Sequence, residues 1–295
     1  MSNLSTDTVT SVMRRNAELI AKIRTELDII SSADGHVRLE PASFTPGEGW
    51  VGRLPPLYPE WLGDPGFLKE HGIRFPYVAG AMANGIATAL LVAEMGRASM
   101  LGFFGSAGLS PPAIERGLTE IEQSLAGTRA VWGANLINSP NEPQLEADAA
   151  ALFLARRVER VSASAYMSLT PPVVRYACTG LRRTDDGRIL RSNHVFAKVS
   201  RPEVAVHFMR PAPSGILEQL VASGQLTREE AQLGSTVPLA AALTAEADSG
   251  GHTDHRPLSV LLPALLQLRN EIEATHGYEG AICIGAAGGL GTPAA

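Results

Sequence analysis

The sequence is short of several residue types, and each shortage argues against a class of explanation. Cysteine occurs twice in 295 residues, at Cys178 and Cys283, far apart and outside any CxxC pair. That argues against a disulfide framework or a thiolate zinc site, and a reducing, cytoplasmic setting is expected. Lysine is scarce beside arginine: Lys22, Lys69 and Lys198 are its only occurrences. Charged residues make up 19% of the chain and the net charge is −5, so the basic face that nucleic acid requires is missing. No apolar run approaches the ~18 residues of a membrane span. The longest candidate, 258–268, is interrupted by Ser259, Pro263 and Gln267. No apolar signal core stands at the N-terminus. No nucleic acid and no membrane are therefore expected among the partners.

What is there is a 45% hydrophobic fraction, enough for a large core. Met13, Ile20, Ile23, Leu27 and Ile30 recur at spacings of three and four and predict a helix running to about residue 30. Residues 41–66, rich in Pro, Gly and the aromatics Trp50, Tyr58 and Trp61, read as an ordered lead-in segment. From residue 75 the texture changes. Seven short apolar runs, at 75–82, 99–104, 130–136, 158–165, 195–199, 237–243 and 281–285, alternate with helical patterns. Thr227 and Glu230 form a capping box inside a helical insert. Two domains are expected: 1–74, a helix and lead-in, and 75–295.

Apolar runs separated by helices predict a parallel α/β sheet. A doubly wound sheet and a (β/α)8 barrel both satisfy the pattern. Polar or glycine-rich residues close nearly every run, which favours the barrel, where sites are assembled at strand C-termini. Neither a G-x-G-x-x-G after the first run nor a P-loop is present.

Three features carry chemistry. Gly250-Gly251 followed by His252, with Asp248 and Asp254 alongside, pairs a backbone that admits a ligand with a side chain titrating near neutrality. Gly288-Gly289-Leu290-Gly291-Thr292-Pro293 has the form of a phosphate-holding turn opening a helix. Lys198, inside an apolar strand, needs an anionic or carbonyl partner, because a buried unpaired ammonium is very costly. Asn135, at another strand end, is suited either to a heterocycle or to an ordinary turn.

The segments Pro76-Tyr77-Val78-Ala79-Gly80-Ala81-Met82, Ala197-Lys198-Val199-Ser200, Ala247-Asp248-Ser249-Gly250-Gly251-His252-Thr253-Asp254 and Gly285-Ala286-Ala287-Gly288-Gly289-Leu290-Gly291-Thr292-Pro293 resemble the PfaD family. These are trans-acting enoyl reductases of polyunsaturated-fatty-acid and polyketide synthases, within the nitronate monooxygenase-like group of FMN-dependent barrels. The resemblance runs in order across nearly the whole chain. It implies FMN as bound cofactor, NAD(P)H as reductant, and an enoyl thioester tethered to an acyl carrier protein as substrate. It places Gly80, Ala81 and Met82 under the flavin ring and Asn135 and Lys198 at its polar edge or ribityl chain. Gly250, Gly251 and Asp248 belong to the loop that approaches the cofactor. Ala287, Gly288 and Gly289 hold its phosphate, and His252 is the catalytic residue.

The family pattern continues beyond residue 295, so the resemblance also implies a barrel lacking its last β/α segment: either the sequence is a fragment, or a second copy or another chain completes the barrel. Other readings of the same residues are a nitronate monooxygenase-type oxidase, a metal-dependent hydrolase on Asp248, His252, Asp254 and His255, and a non-catalytic docking piece. Arg182, Arg183, Arg188 and Arg191 are candidates for a face that meets an acidic carrier protein, against the plainer reading of a solvated charged loop.

Overall fold

The computed structural model describes residues 6–43, 47–248, 254–278 and 282–288. The chain divides into two compact units, Met1–Leu68 and Lys69–Ala295.

In the first unit, helix α1 (Thr6–Ile20) precedes strands β1 (Leu27–Ser31), β2 (Val37–Pro41) and β3 (Trp50–Leu54), followed by a 3-10 turn at Pro59–Trp61. The strands form an antiparallel sheet in the order β2-β1-β3. The helix expected to reach residue 30 therefore stops ten residues short. Its supposed stripe was not one face: Met13, Ile20 and Ile23 are exposed, whereas Leu27 and Ile30 are buried. Asp28 explains the switch. Its buried carboxylate accepts hydrogen bonds from Arg53 Nε and Trp50 Nε1, both 2.9 Å, and from the Ser43 backbone N–H at 2.8 Å. Those donors exist only if the segment is extended between partners, and they hold the Asp28 carboxyl well below the usual carboxylate range, Arg53 foremost.

Helix α2 (Pro65–His71) leads into the second unit. The elements that follow are β4 (Val78–Ala79), α3 (Ala89–Arg97), β5 (Leu101–Phe104), α4 (Pro111–Ser124), β6 (Trp132–Ile137), α5 (Pro143–Ala155), β7 (Arg160–Ser164) and α6 (Pro171–Cys178). A small hairpin, β8 (Arg182–Arg183) and β9 (Ile189–Leu190), comes next. Then follow β10 (His194–Val199), α7 (Pro202–Met209), α8 (Ser214–Ala222), α9 (Arg228–Gly234), β11 (Ala242–Glu246), α10 (Leu258–His276) and β12 (Cys283–Ala287).

Local chemistry explains these boundaries. Helices α4, α5, α6 and α7 open on proline at the first turn, where its fixed φ suits the helix and its missing N–H costs nothing. Thr88 caps α3 by accepting from Leu91 N, and the Thr227–Glu230 capping box opens α9. Gly277, at φ +65°, ends α10 in the left-handed conformation.

The seven-stranded sheet has the order β12-β11-β10-β7-β6-β5-β4, and every pair is parallel. Apart from the β8–β9 hairpin, neighbours in the sheet are neighbours in sequence, with no reversal. A doubly wound sheet reverses at its switch point; this order is that of a (β/α) barrel wall. Among the described residues β4 and β12 each pair on one side only.

All seven apolar runs overlap a strand, but the last two strands lie further along, β12 at Cys283–Ala287 against a run at 281–285, and β11 more so. The expected strand at 237–243 is observed at Ala242–Glu246. The residues before it are apolar because they are buried beside the end of α7: Leu239 N donates to Arg210 O and Ala240 N to Phe208 O, both at 2.9 Å. The shift brings Glu246 into the strand.

Strand residues alternate between two environments. Val195, Ala197 and Val199 of β10, Val161 and Ala163 of β7, and Leu243 and Ala245 of β11 join the core shared with the helices. The intervening residues face the other way, into the barrel. At the strands' N-terminal end this interior is filled. Phe103 and Phe196 meet edge to face at 5.2 Å, and His71, from the end of α2, lies 5.1 Å from Phe196 and 5.3 Å from His194. Phe103 lies so close over Gly133 that a Cβ there would stand 2.4 Å from the ring.

Candidate functional site

The opposite, C-terminal end of the strands is built from different material. Ser162 and Ser164 of β7, Thr244 of β11 and Gly285 of β12 are the inward residues here, with Lys198 opposite Thr244 and Thr244 opposite Gly285. A Cβ on Gly285 would find only the Leu243 carbonyl oxygen, at 3.9 Å, and one on Gly80 would find nothing within 4 Å. Small residues thus leave room where large ones fill the other end.

Asn135 is buried on β6. Its amide donates to Ser162 O at 2.8 Å and to Ser164 Oγ at 2.9 Å, while Ser106 Oγ donates to its backbone carbonyl at 2.7 Å. Both amide N–H donors are engaged by the wall, so a bound heterocycle would meet this side chain through its Oδ1 acceptor. Lys198 has a protein partner that sequence reasoning missed: its Nζ lies 2.7 Å from Glu246 Oε1. The missed signal was parity. Glu246 has the same inward parity as Thr244, on the strand beside Lys198, but a strand placed at 237–243 leaves it in a loop.

The loops after β4 and β5 are interlocked. Gly85 N donates to Gly105 O at 2.8 Å, Asn84 N to Ala107 O at 2.7 Å, and a Cβ on Gly105 would collide with the Met82 carbonyl. This fixes Gly80, Ala81 and Met82 at the end of β4, with Met82 exposed. Beside Asn135 a cavity of about 520 Å³ runs between α4 and α5, lined by Ser106, Leu109, Ile114, Ile137, Leu145 and Leu152 among others. Glu146 at its wall is buried and satisfied, accepting from Tyr166 at 2.9 Å, Asn138 at 3.0 Å and Thr170.

Of the histidine loop, Gly250, Gly251 and His252 lie outside the described residues, as does Gly289. The residues flanking the loop are described. Asp254 accepts from Arg201 Nη2 at 2.6 Å, Arg201 Nε at 2.7 Å and Ser200 Oγ at 3.0 Å. The Arg201 guanidinium holds the Asp254 carboxyl down at about 2. These partners belong to the turn after β10. Ala247 N donates to Ala287 O at 2.8 Å, and the Asp248 carbonyl lies 3.3 Å from His255 Nδ1. Ala287 therefore ends β12 directly beside the start of the histidine loop, and Gly288 follows at φ +81°, a conformation glycine adopts without strain. Lys198, Asp248 and Ala287 are thus brought to the ends of three adjacent strands, and Asn135 is joined to them through β7. Among the described residues no group of three His, Cys, Asp or Glu side chains is placed to hold a metal ion.

The arginine face is corrected. Arg191 is not part of it: its guanidinium donates to the carbonyls of Pro238 and Leu239. Arg182, Arg183 and Arg188 are exposed, with Arg188 paired to Asp186 at 2.7 Å, but the hairpin carrying them runs into the start of β10. That is the end of the strands opposite the open, polar one. No described helix is long and apolar enough to cross a membrane.

No family model matches the chain. It is 44% identical over 236 residues to a polyunsaturated fatty acid synthase component of Thraustochytrium sp., covering 79% of this chain and 16% of the relative. It is 40% identical over 236 residues to polyketide biosynthesis protein PksE of Bacillus subtilis, covering 80% of this chain and 31% of the relative. Among solved structures, the enoyl reductase domain of MlnA from the macrolactin biosynthesis cluster of Bacillus amyloliquefaciens superposes with a TM-score of 0.76 at 38% identity, over 80% of this chain and 53% of that one. The chain thus spans less than a third of the two sequence relatives and about half of the solved domain. Over the four fifths of its length that these matches cover, the chain is similar to components of polyunsaturated fatty acid and polyketide synthases and to an enoyl reductase domain.

Proposed function

We propose that this chain carries the flavin-binding wall of an enoyl reductase that acts on α,β-unsaturated acyl thioesters, delivered on an acyl carrier protein within a polyketide or polyunsaturated fatty acid synthase. The observation that carries the reading is the 38% identity and 0.76 TM-score to the enoyl reductase domain of MlnA. The composition of the strand ends supports it. Open glycine positions at Gly80 and Gly285 suit a flat ring, Lys198 suits an electron-rich edge, and Asn135 presents an acceptor to a ring N–H.

Bound FMN would supply hydride transfer, from a nicotinamide to the β-carbon of the thioester. The protein's own contribution is position and charge. Lys198 and Asn135 would orient the ring edge, and Gly80, Ala81 and Met82, fixed by the interlocked loops after β4 and β5, would meet its face. Ala287, Gly288 and Gly289 would receive the phosphate. Asp248, Gly250 and Gly251 would belong to the loop that approaches the cofactor. His252 polarises the thioester carbonyl as charge builds on it, or delivers the proton to the α-carbon. The cavity beside Asn135 has room for a short acyl chain.

The first test is a visible-spectrum titration of the protein with FMN, which should give a saturable flavin spectrum; no binding would remove the reading. The second is His252→Ala. Flavin binding is expected to survive, and enoyl thioester reduction to fall about 10²–10⁴-fold. Unchanged turnover would take His252 out of the mechanism.

A further inference from the structure

Lys198 and Glu246 form an ion pair of 2.7 Å on the inner face of the barrel wall, their side chains 21% and 16% exposed. They come from adjacent parallel strands: Lys198 stands opposite Thr244, and Glu246 two positions further along on the same face. Withdrawing both charges from most of their water is costly, and apolar residues of similar size often hold strands together as well or better. Cohesion does not call for a charge pair here either. β10 and β11 are already joined from Phe196–Ala242 to Val199–Ala245, and their outer faces are packed in the apolar core. What the pair achieves is to fix one ammonium at a set point on the wall of the open end and to cancel part of its field.

We propose that Glu246 is a positioning residue of the flavin site, acting through Lys198. The inference rests on the flavin-binding reading above and adds a residue to it. An ammonium beside the ring edge favours the reduced, negatively charged flavin over the oxidised neutral one. Glu246 sets where that ammonium stands and moderates how strongly it acts.

Replacing Glu246 by Gln keeps the shape and removes the charge. The measurement is the dissociation constant for FMN, oxidised and chemically reduced under anaerobic conditions, by spectral titration. The ratio of oxidised to reduced constants is expected to rise about tenfold in Glu246→Gln, the order expected when the ammonium, released from its partner, settles a few ångströms nearer the ring edge. It is expected to fall in Lys198→Met, and in the Lys198→Met background the Gln substitution should have a much smaller effect. A ratio unchanged by Glu246→Gln, with only a lower melting temperature, would reduce the pair to a strand clasp and overturn the proposal. An equal change in both backgrounds would overturn it too, because Glu246 would then act directly. Failure of the unaltered protein to bind FMN would bring down the flavin reading along with this one; binding with an unmoved ratio would remove this one alone.

Discussion

The two ends of the same parallel sheet are made to opposite specifications. At the N-terminal end the inward side chains are Phe103, Phe196, Arg160 and His194, with His71 packed among them. At the C-terminal end they are Ser162, Ser164, Thr244 and Gly285, with one paired cation, Lys198. One end spends its volume on contacts and the other leaves volume for something else. The difference teaches that in this wall stability and binding are separated within single strands, by as little as the two positions from Phe196 to Lys198 on β10 or from Arg160 to Ser162 on β7.

That separation can be broken deliberately. Phe103→Ala should cost about 3–5 kcal/mol of unfolding free energy, because it empties the filled end; the midpoint of chemical denaturation measures it. A loss below ~1 kcal/mol would mean that end is not the packed one. Acid should act on the same end. Burial foremost lowers the His71 pKa to about 3 and the His194 pKa to about 4. Both are therefore held neutral in the folded state, while in the unfolded chain they protonate near 6.5. Stability from this source is complete above pH 6.5 and declines as pH falls from there toward 4, by at most about 1.4 kcal/mol per pH unit for each imidazole. Removing one of the two imidazoles, as in His194→Phe, should flatten that slope in melting temperature against pH.

At the open end the expected effects are on binding. Gly285→Leu places a side chain where a Cβ has open space; FMN affinity should fall about 10-fold or more while the denaturation midpoint stays within about 0.5 kcal/mol. A large loss of stability with binding intact would reverse the assignment of the two ends. The smallest effect is expected beside the cavity. Leu145→Trp should lower kcat/KM for longer acyl thioesters by about 10-fold relative to short ones, read from a chain-length series.

Much of this was legible in the sequence because it depends on local rules. Proline at helix starts, the Thr227–Glu230 box and alternating apolar runs report on residues near each other in the chain. The strand order followed from them once barrel and doubly wound sheet could be told apart, and the absence of a reversal in the sheet did so. Three things were not legible. The segment at 27–31 imitates a helix by spacing, and only its partners Ser43, Trp50 and Arg53 reveal a strand. The stretch at 237–241 is apolar through burial against α7, and mistaking it for a strand concealed Glu246. Arg191 sits in an arginine-rich run, yet it is half-buried and two carbonyls claim it. Each is a contact between distant positions, which composition and period do not record.

Because each parallel strand pairs with the strand that precedes it among the seven, a nascent chain leaving the ribosome meets a finished template at every step. β5 can dock on β4 before β6 has been synthesised, and so on to β12. Each strand after β4 thus has one partner waiting as it emerges, and its far edge stays open only until the next βα unit is made.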